Sequence, residues 1–235
     1  MVEKIMARPL VTIVNLIWSF NHTKHCPQIL LVKRAQAPFK TWWALPDTLL
    51  RVNESADEAC VRLIKDKIGL TLPLTATEQL ATFTAPDRVV GERELALSYM
   101  TFLPSMPRLH PGYGAIAANW FTFDFKIDHY VLRYGDDVLS LPDAAKLAFD
   151  HREIVQTAIT RIRNKLDYQP SILHILGDTF TLRQAREVYA PFLKTQAERI
   201  DNSNFKKNHQ KFFEEVGTAT RQHSGRPPKL FKLIS

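Results

Sequence analysis

Between Leu45 and Leu70 the chain reads LPDTLLRVNESADEACVRLIKDKIGL, a polar loop that runs into a helical pattern and ends on Gly69 and Leu70. Ser55 and Glu58 have the S-x-x-E spacing of a capping box, in which each side chain satisfies a backbone N–H that a helix start leaves unpaired. Ala56, Ala59, Cys60, Leu63, Ile64 and Ile68 then recur at helical spacing and define one apolar face. Leu63 falls in line with Ala59 and Cys60, so it is expected to pack against the core. A capped amphipathic helix by itself assigns no function.

The loop and helix together resemble a Nudix box, G-x5-E-x7-R-E-U-x-E-E-x-G-U with U an aliphatic residue. In that frame the first Gly falls on Thr48, the Glu on Glu54, the Arg on Arg62 and the closing pair on Gly69 and Leu70. Leu63, Asp66 and Lys67 take the places of the metal-binding carboxylates. Mg²⁺ takes hard oxygen ligands in near-octahedral order, shared between carboxylates and substrate phosphates. Leu63 offers no lone pair, and Lys67 sets a cation where a cation is to be held. Asp66, with Glu54, Asp57 and Glu58 nearby, retains only a weak attraction for a metal. The frame without the chemistry predicts a binding module made from an enzyme fold: not an enzyme, with no catalytic residues, no metal and no cofactor. The alternative is a Nudix hydrolase of a nucleoside diphosphate derivative with an accessory C-terminal domain.

A chain of 235 residues with 45% hydrophobic and 23% charged content has the composition of a globular protein of one large or two modest domains. Its net charge of +7 and pI near 9.4 permit a polyanionic partner. Cys26 and Cys60 are the two cysteines, and Cys60 lies on the apolar helix face, as expected for a packed thiol in a reducing compartment. No apolar run reaches the length of a membrane span. Val11 to Phe20 lacks a cleavable signal pattern and reads as a buried strand. A cytoplasmic location without membrane contact is expected.

Val11 to Phe20 and Gln28 to Lys33 flank a polar turn and read as a hairpin. Leu95, Leu97, Tyr99, Thr101 and Leu103 alternate as a half-buried strand does, and Ala117 to Phe125 is a further strand. Ala148 to Leu166 has a long helical pattern, with Ile154, Ala158, Ile162 and Leu166 spaced four apart. After a break at Asp167 to Pro170 come a short helix, Ser171 to Gly177, a helix from Thr181 to Lys194, and an amphipathic helix from Asp201 to Phe213 with its lysines outward. Val216 to Thr220 and Leu230 to Ile234 are β-like runs around Arg221 to Pro228. Helix, loop, helix and a two-stranded ribbon with a Gly-Arg-Pro tip is the order of a winged helix-turn-helix. From Asp201 onward seven Lys and Arg face three acids, so +4 of the net +7 lies there, where a nucleic-acid surface is expected. The fold class expected is α+β, in which the resemblance to the Nudix box implies a Nudix-like α/β/α sandwich, followed by a C-terminal winged helix-turn-helix. The sandwich, ending in a linker helix, is expected over residues 1–168 and the winged helix over 169–235.

Taken end to end, the chain resembles the NrtR family of Nudix-related transcriptional regulators. LLVKRAQAPFKTWWALPD (Leu30 to Asp47) is similar to that family's KR-x-x-x-PFK-G-x-WALPGG, with Thr41 at the first Gly and Asp47 and Thr48 at the final pair. APDRVVGERELALSY (Ala85 to Tyr99), LAFDHREI (Leu147 to Ile154), FTLRQAREVY (Phe180 to Tyr189), NFKK (Asn204 to Lys207) and GRPPKLFKL (Gly225 to Leu233) follow in the family's order. The resemblance implies a homodimeric repressor that binds a palindromic operator in double-stranded DNA. It implies that the Nudix-like half senses ADP-ribose or a related nucleotide or sugar phosphate, with NAD metabolism as the usual target. Side chains at Asp47 and Thr48 replace glycines that let backbone approach phosphate, and Asp47 adds a negative charge there.

For an anionic effector the best-placed cations are Arg34, Lys40, Arg88 and Arg93, since arginine reads phosphate bidentately. Trp43, or Trp42 beside it, is expected to stack on a base. For DNA, Thr181 is an N-cap whose helix start offers N–H groups to a phosphate, with Arg183 and Gln184 in its first turn. Asn202, Asn204, Lys206, Lys207 and Lys211 are the polar groups of the recognition helix. Arg226, held between Gly225 and Pro227, suits insertion into a minor groove. Asp150 and His151 are read either as an ordinary helix start or as a relay between ligand and DNA domain.

Overall fold

The computed structural model describes residues 8–73, 77–143, 146–219 and 227–234. Its core is a mixed sheet in the order β5-β6-β1-β2-β7-β8-β9. These strands are β1 (Leu10–Asn21), β2 (Cys26–Arg34), β5 (Thr77–Phe83), β6 (Glu94–Phe102), β7 (Ala115–Lys126), β8 (His129–Tyr134) and β9 (Asp137–Ser140). The short strands β3 (Trp43–Ala44) and β4 (Asp47–Leu49) pair with β2 and β1. β1 lies at the centre, parallel to β6 from Leu10↔Glu94 to Trp18↔Phe102 and antiparallel to β2 through the expected hairpin.

Alternation along β1 builds both halves of the core, because successive side chains leave a strand on opposite faces. Ile13 packs with Ala59, Cys60 and Leu63 of α1 (Ala56–Ile68). Val14, Leu16, Trp18 and Phe20 face the other layer, made by α2 (His151–Lys165), a 3-10 turn (Ser171–Leu176) and α3 (Leu182–Phe192). Helices on both faces give the α/β/α sandwich read from the sequence. The capping box forms as read: Glu58 N donates to Ser55 Oγ at 3.2 Å and Ser55 N to Glu58 Oε2 at 2.7 Å. Cys60 is buried as a free thiol, and burial pushes its pKa up to about 12.

The winged helix continues with α4 (Asn202–His209) and a ribbon of β10 (Phe213–Thr218) and β11 (Lys229–Leu233). It sits directly on the sheet. The Phe192 ring lies 4.7 Å from that of Phe123 and 5.7 Å from that of Trp18, and Tyr130 Oη donates to Phe192 O at 2.9 Å.

Several boundaries differ from those expected. The long helix starts at His151, not Ala148, because Ala148 N donates to Trp43 O at 2.8 Å and Phe149 adopts φ 55°, outside the helical region. The second C-terminal helix stops at His209 instead of running to Phe213, since Phe213 enters β10 and packs beside Phe180 and Phe205. Strands β5 and β9 form the two edges of the sheet and β8 lies just inside β9, where weakly patterned residues gain their stability from pairing. Among the described residues no helix is long and apolar enough to cross a membrane.

Candidate functional site

The β1, β2 and β4 strands, the 85–94 loop and the start of α2 enclose a cleft of about 500 Å³. Thr12, Arg34, Asp47, Arg88, Glu94 and Phe149 line it. Arg34 is fixed over the Phe149 ring at 4.6 Å, donates from Nε to Pro38 O at 3.0 Å and stands 3.9 Å from Asp47. Arg88 lies deeper, with its side chain 2% exposed, and donates from Nε and Nη2 to the two carboxylate oxygens of Asp150 at 2.9 and 2.8 Å. Its Nη1 is buried without a hydrogen-bond partner, 3.6 Å from Glu94 Oε2. Thr12 Oγ1 donates to that same oxygen at 2.7 Å. An arginine N–H left over in a cleft is a donor that an anion can take up, because an unmade hydrogen bond to a buried charged group is costly.

Asp150 precedes the first turn of α2 but makes no side-chain bond to it; both its oxygens go to Arg88. His151 is buried and accepts a hydrogen bond at Nδ1 from Leu45 N at 2.9 Å. Burial, with help from Arg88 and Arg34, lowers its pKa to about 3, so its ring is neutral. These two residues fasten the cleft loop and the 45–47 segment to the start of α2. At the other end of α2, Leu166 O accepts from Tyr189 Oη of α3 at 2.8 Å.

The remaining residues expected to meet an effector lie elsewhere. Trp43 does not line the cleft: it is 3% exposed, packs on Phe121 at 4.8 Å and donates from Nε1 to Asp137 at 3.1 Å. Its ring is committed to the core, which removes it as a stacking platform. Arg93 braces the cleft loop from behind, donating to the carbonyls of Thr84, Ala85 and Glu94. Lys40 is exposed and is not among the cleft residues. Thr12, Glu94 and Phe149 were missed; each takes its role from a neighbour far away in the sequence. Thr41, at the place of the family's glycine, keeps a left-handed backbone with φ 69°.

The carboxylates of the Nudix-box segment are engaged by protein partners. Leu63 is fully buried in the α1 layer. Arg62 binds both oxygens of Glu54, at 2.8 and 2.6 Å, and also reaches Thr48 Oγ1, Leu49 O and Asp66. That pairing holds the Glu54 pKa down at about 2. Asp57 accepts from Tyr99 Oη at 2.7 Å, and Glu58 is taken by the capping box. Lys67 Nζ donates to Tyr113 O at 2.5 Å, and burial lowers its pKa against the pull of Asp47. Among the described residues no group of three or more His, Cys, Asp and Glu comes close enough to hold a metal ion.

On the winged helix, the Thr181 side chain and Gln184 form a second capping box, with Gln184 N to Thr181 Oγ1 at 3.2 Å and Thr181 N to Gln184 Oε1 at 2.8 Å. Arg183 is 70% exposed at its side chain and pairs with Glu187 at 2.8 Å. Asp201 caps α4 by accepting from Asn204 N at 2.8 Å. Phe205 and His209 are the buried side chains of α4, which turns Asn202, Asn204, Lys206 and Lys207 to solvent. Lys211 is exposed just beyond it. Arg226 lies outside the described residues.

A model of the NUDIX domain matches residues 10–125, and a model of the NrtR DNA-binding winged helix domain matches residues 172–233. A crystal structure of a MutT/nudix family protein from Enterococcus faecalis is 33% identical, with a TM-score of 0.87 over 97% of this chain and 88% of that one. The ADPR responsive transcriptional repressor NtrR of Acinetobacter baylyi is 26% identical over 195 residues, 81% of this chain and 69% of that protein. Shewanella oneidensis NrtR, crystallised with a 27mer DNA, shares the fold at 20% identity, with a TM-score of 0.70 over 95% of this chain and 93% of that one.

Proposed function

Since the chain belongs to the MutT/nudix family and carries an NrtR-type winged helix behind its Nudix sheet, we propose that it is an ADP-ribose-responsive transcriptional repressor. The observation that carries this reading is the pairing of two surfaces in one chain: a cleft with an arginine nitrogen that lacks a hydrogen-bond partner, and a helix that turns its amides and lysines to solvent. The cleft takes an anionic nucleotide such as ADP-ribose or a related sugar phosphate on Arg34 and Arg88. Helix α4 enters the major groove, and the capped start of α3 approaches the backbone. The chain acts as a cytoplasmic homodimer on a palindromic operator in control of NAD metabolism. We place its domain division between residues 168 and 169.

Coupling runs through α2. An effector that draws Arg88 towards itself loosens the hold on Asp150, and the helix carries that change to Leu166 and Tyr189. It alters DNA affinity only to the extent that it favours one position of α2 over another. The Nudix half does not hydrolyse its ligand, because Leu63 and Lys67 supply no oxygen to a metal.

Fluorescence anisotropy on DNA from upstream of the protein's own gene, with and without ADP-ribose, tests the reading. Specific binding released by ADP-ribose is expected. Absence of specific binding, together with Mg²⁺-dependent phosphate release that Asp66→Asn abolishes, would replace it with a hydrolase.

A further inference from the structure

In a Nudix box the divalent ion is the charge that meets the substrate's phosphates, and this chain has dismantled its holder without leaving the place neutral. Each carboxylate around the box already has a resident partner: Glu54 and Asp66 have Arg62, Asp57 has Tyr99, Glu58 has the Ser55 backbone and Asp47 has Arg34. Lys67 puts an ammonium at the position of a lost ligand, pinned by the Tyr113 carbonyl at 2.5 Å and within electrostatic reach of Asp47 and Arg34. The loop that pins it is itself tight against α1, since a Cβ on Gly112 would come 2.4 Å from the Asp66 carbonyl oxygen. Asp47 in turn lines the cleft. The residues present therefore do not fit Mg²⁺, and they do fit a fixed monovalent cation.

We propose that Lys67 is a tethered replacement for the divalent ion, so that the cleft recognises its diphosphate ligand without any metal. A fixed ammonium brings one positive charge, with no ligand to assemble and no ion to bind first. Its partial burial beside the Tyr113 carbonyl makes its field stronger than that of a fully solvated lysine. Lys67 acts with Arg34 on the side of Asp47, while Arg88 offers its free N–H from the side of Glu94. The ligand-binding part of this proposal rests on the effector reading above; the metal part does not.

Two measurements on the full chain separate the parts. The first titrates Mn²⁺ alone and follows the free-ion electron paramagnetic resonance signal. No uptake is expected in the natural protein, and uptake is expected in Lys67→Glu, which restores a carboxylate. Uptake by the natural protein that Asp66→Asn abolishes would overturn the proposal. The second is calorimetry with ADP-ribose in Mg²⁺ and in EDTA. Equal affinity in both is expected, with a loss of about tenfold in Lys67→Met and recovery in Lys67→Arg. Binding that needs Mg²⁺, or a Lys67→Met variant that folds and binds as well as its parent, would overturn it. No heat in either buffer would refute ADP-ribose as ligand, and the Mn²⁺ measurement would still decide the metal question.

Discussion

The cleft and the α4 surface both present cations, but they hold them in opposite ways. Arg88 is buried and locked to Asp150 by two short bonds, with its Nη1 left without a hydrogen-bond partner. Lys206 and Lys207 stand on a solvated face, with Lys206 3.9 Å from Glu215. A buried, pre-oriented arginine discriminates by geometry, because a misplaced ligand leaves it unpaired. Exposed lysines discriminate by charge density, releasing counterions from a polyanion wherever it lies. One chain thus carries a fixed, buried cation in a cleft and an exposed set of cations on a helix.

The contrast can be broken at its buried end first. Asp150→Ala leaves the Arg88 guanidinium with only the more distant Glu94, and is expected to cost about 3 kcal/mol of stability. Urea unfolding measures this. A loss below 1 kcal/mol, near the value of an exposed pair, would mean that water reaches Arg88 and that the two surfaces do not differ in kind.

Acid sharpens the same contrast. His151 has its pKa lowered to about 3 by burial, so between an unfolded value of 6.5 and that point only the unfolded chain takes up this proton. This group's contribution to stability is complete above pH 6.5 and falls as pH drops through the window, with a slope approaching about 1.4 kcal/mol per pH unit. Urea midpoints from pH 7 to 5 should decline in the natural protein and decline less in His151→Gln.

On the exposed side, Lys207→Ala is expected to change stability by less than about 0.5 kcal/mol. It should weaken DNA binding for all sequences and reduce the slope of log affinity against log salt by about 0.9. An unchanged slope in a salt series of anisotropy titrations removes Lys207 from the DNA surface. Thr181→Ala, which opens the α3 capping box, should cost about 1 kcal/mol by thermal unfolding.

Local patterns were legible in the sequence, and pairings across it were not. The Ser55–Glu58 box, the central hairpin, the burial of Leu63 and the order of the winged-helix elements all follow from spacings of a few residues. Arg34 and Arg88, singled out as cations near motifs, do meet in one cleft. That Arg88 belongs to Asp150 follows from a contact 62 residues apart, which no local pattern records. Trp43 misled because a tryptophan beside a glycine-like loop has the same signature whether it stacks on a base or on Phe121. Strands β8 and β9 are held by their neighbours more than by their own pattern.

Phe192 carries one more consequence. By seating its ring against Trp18 and Phe123, it joins the DNA-reading half to the sheet in one continuous apolar cluster. Two parts that share a core melt together, so calorimetry should record a single transition for the whole chain. A destabilising change in either part then lowers the melting temperature of both, and the sheet cannot come apart while the winged helix stays whole.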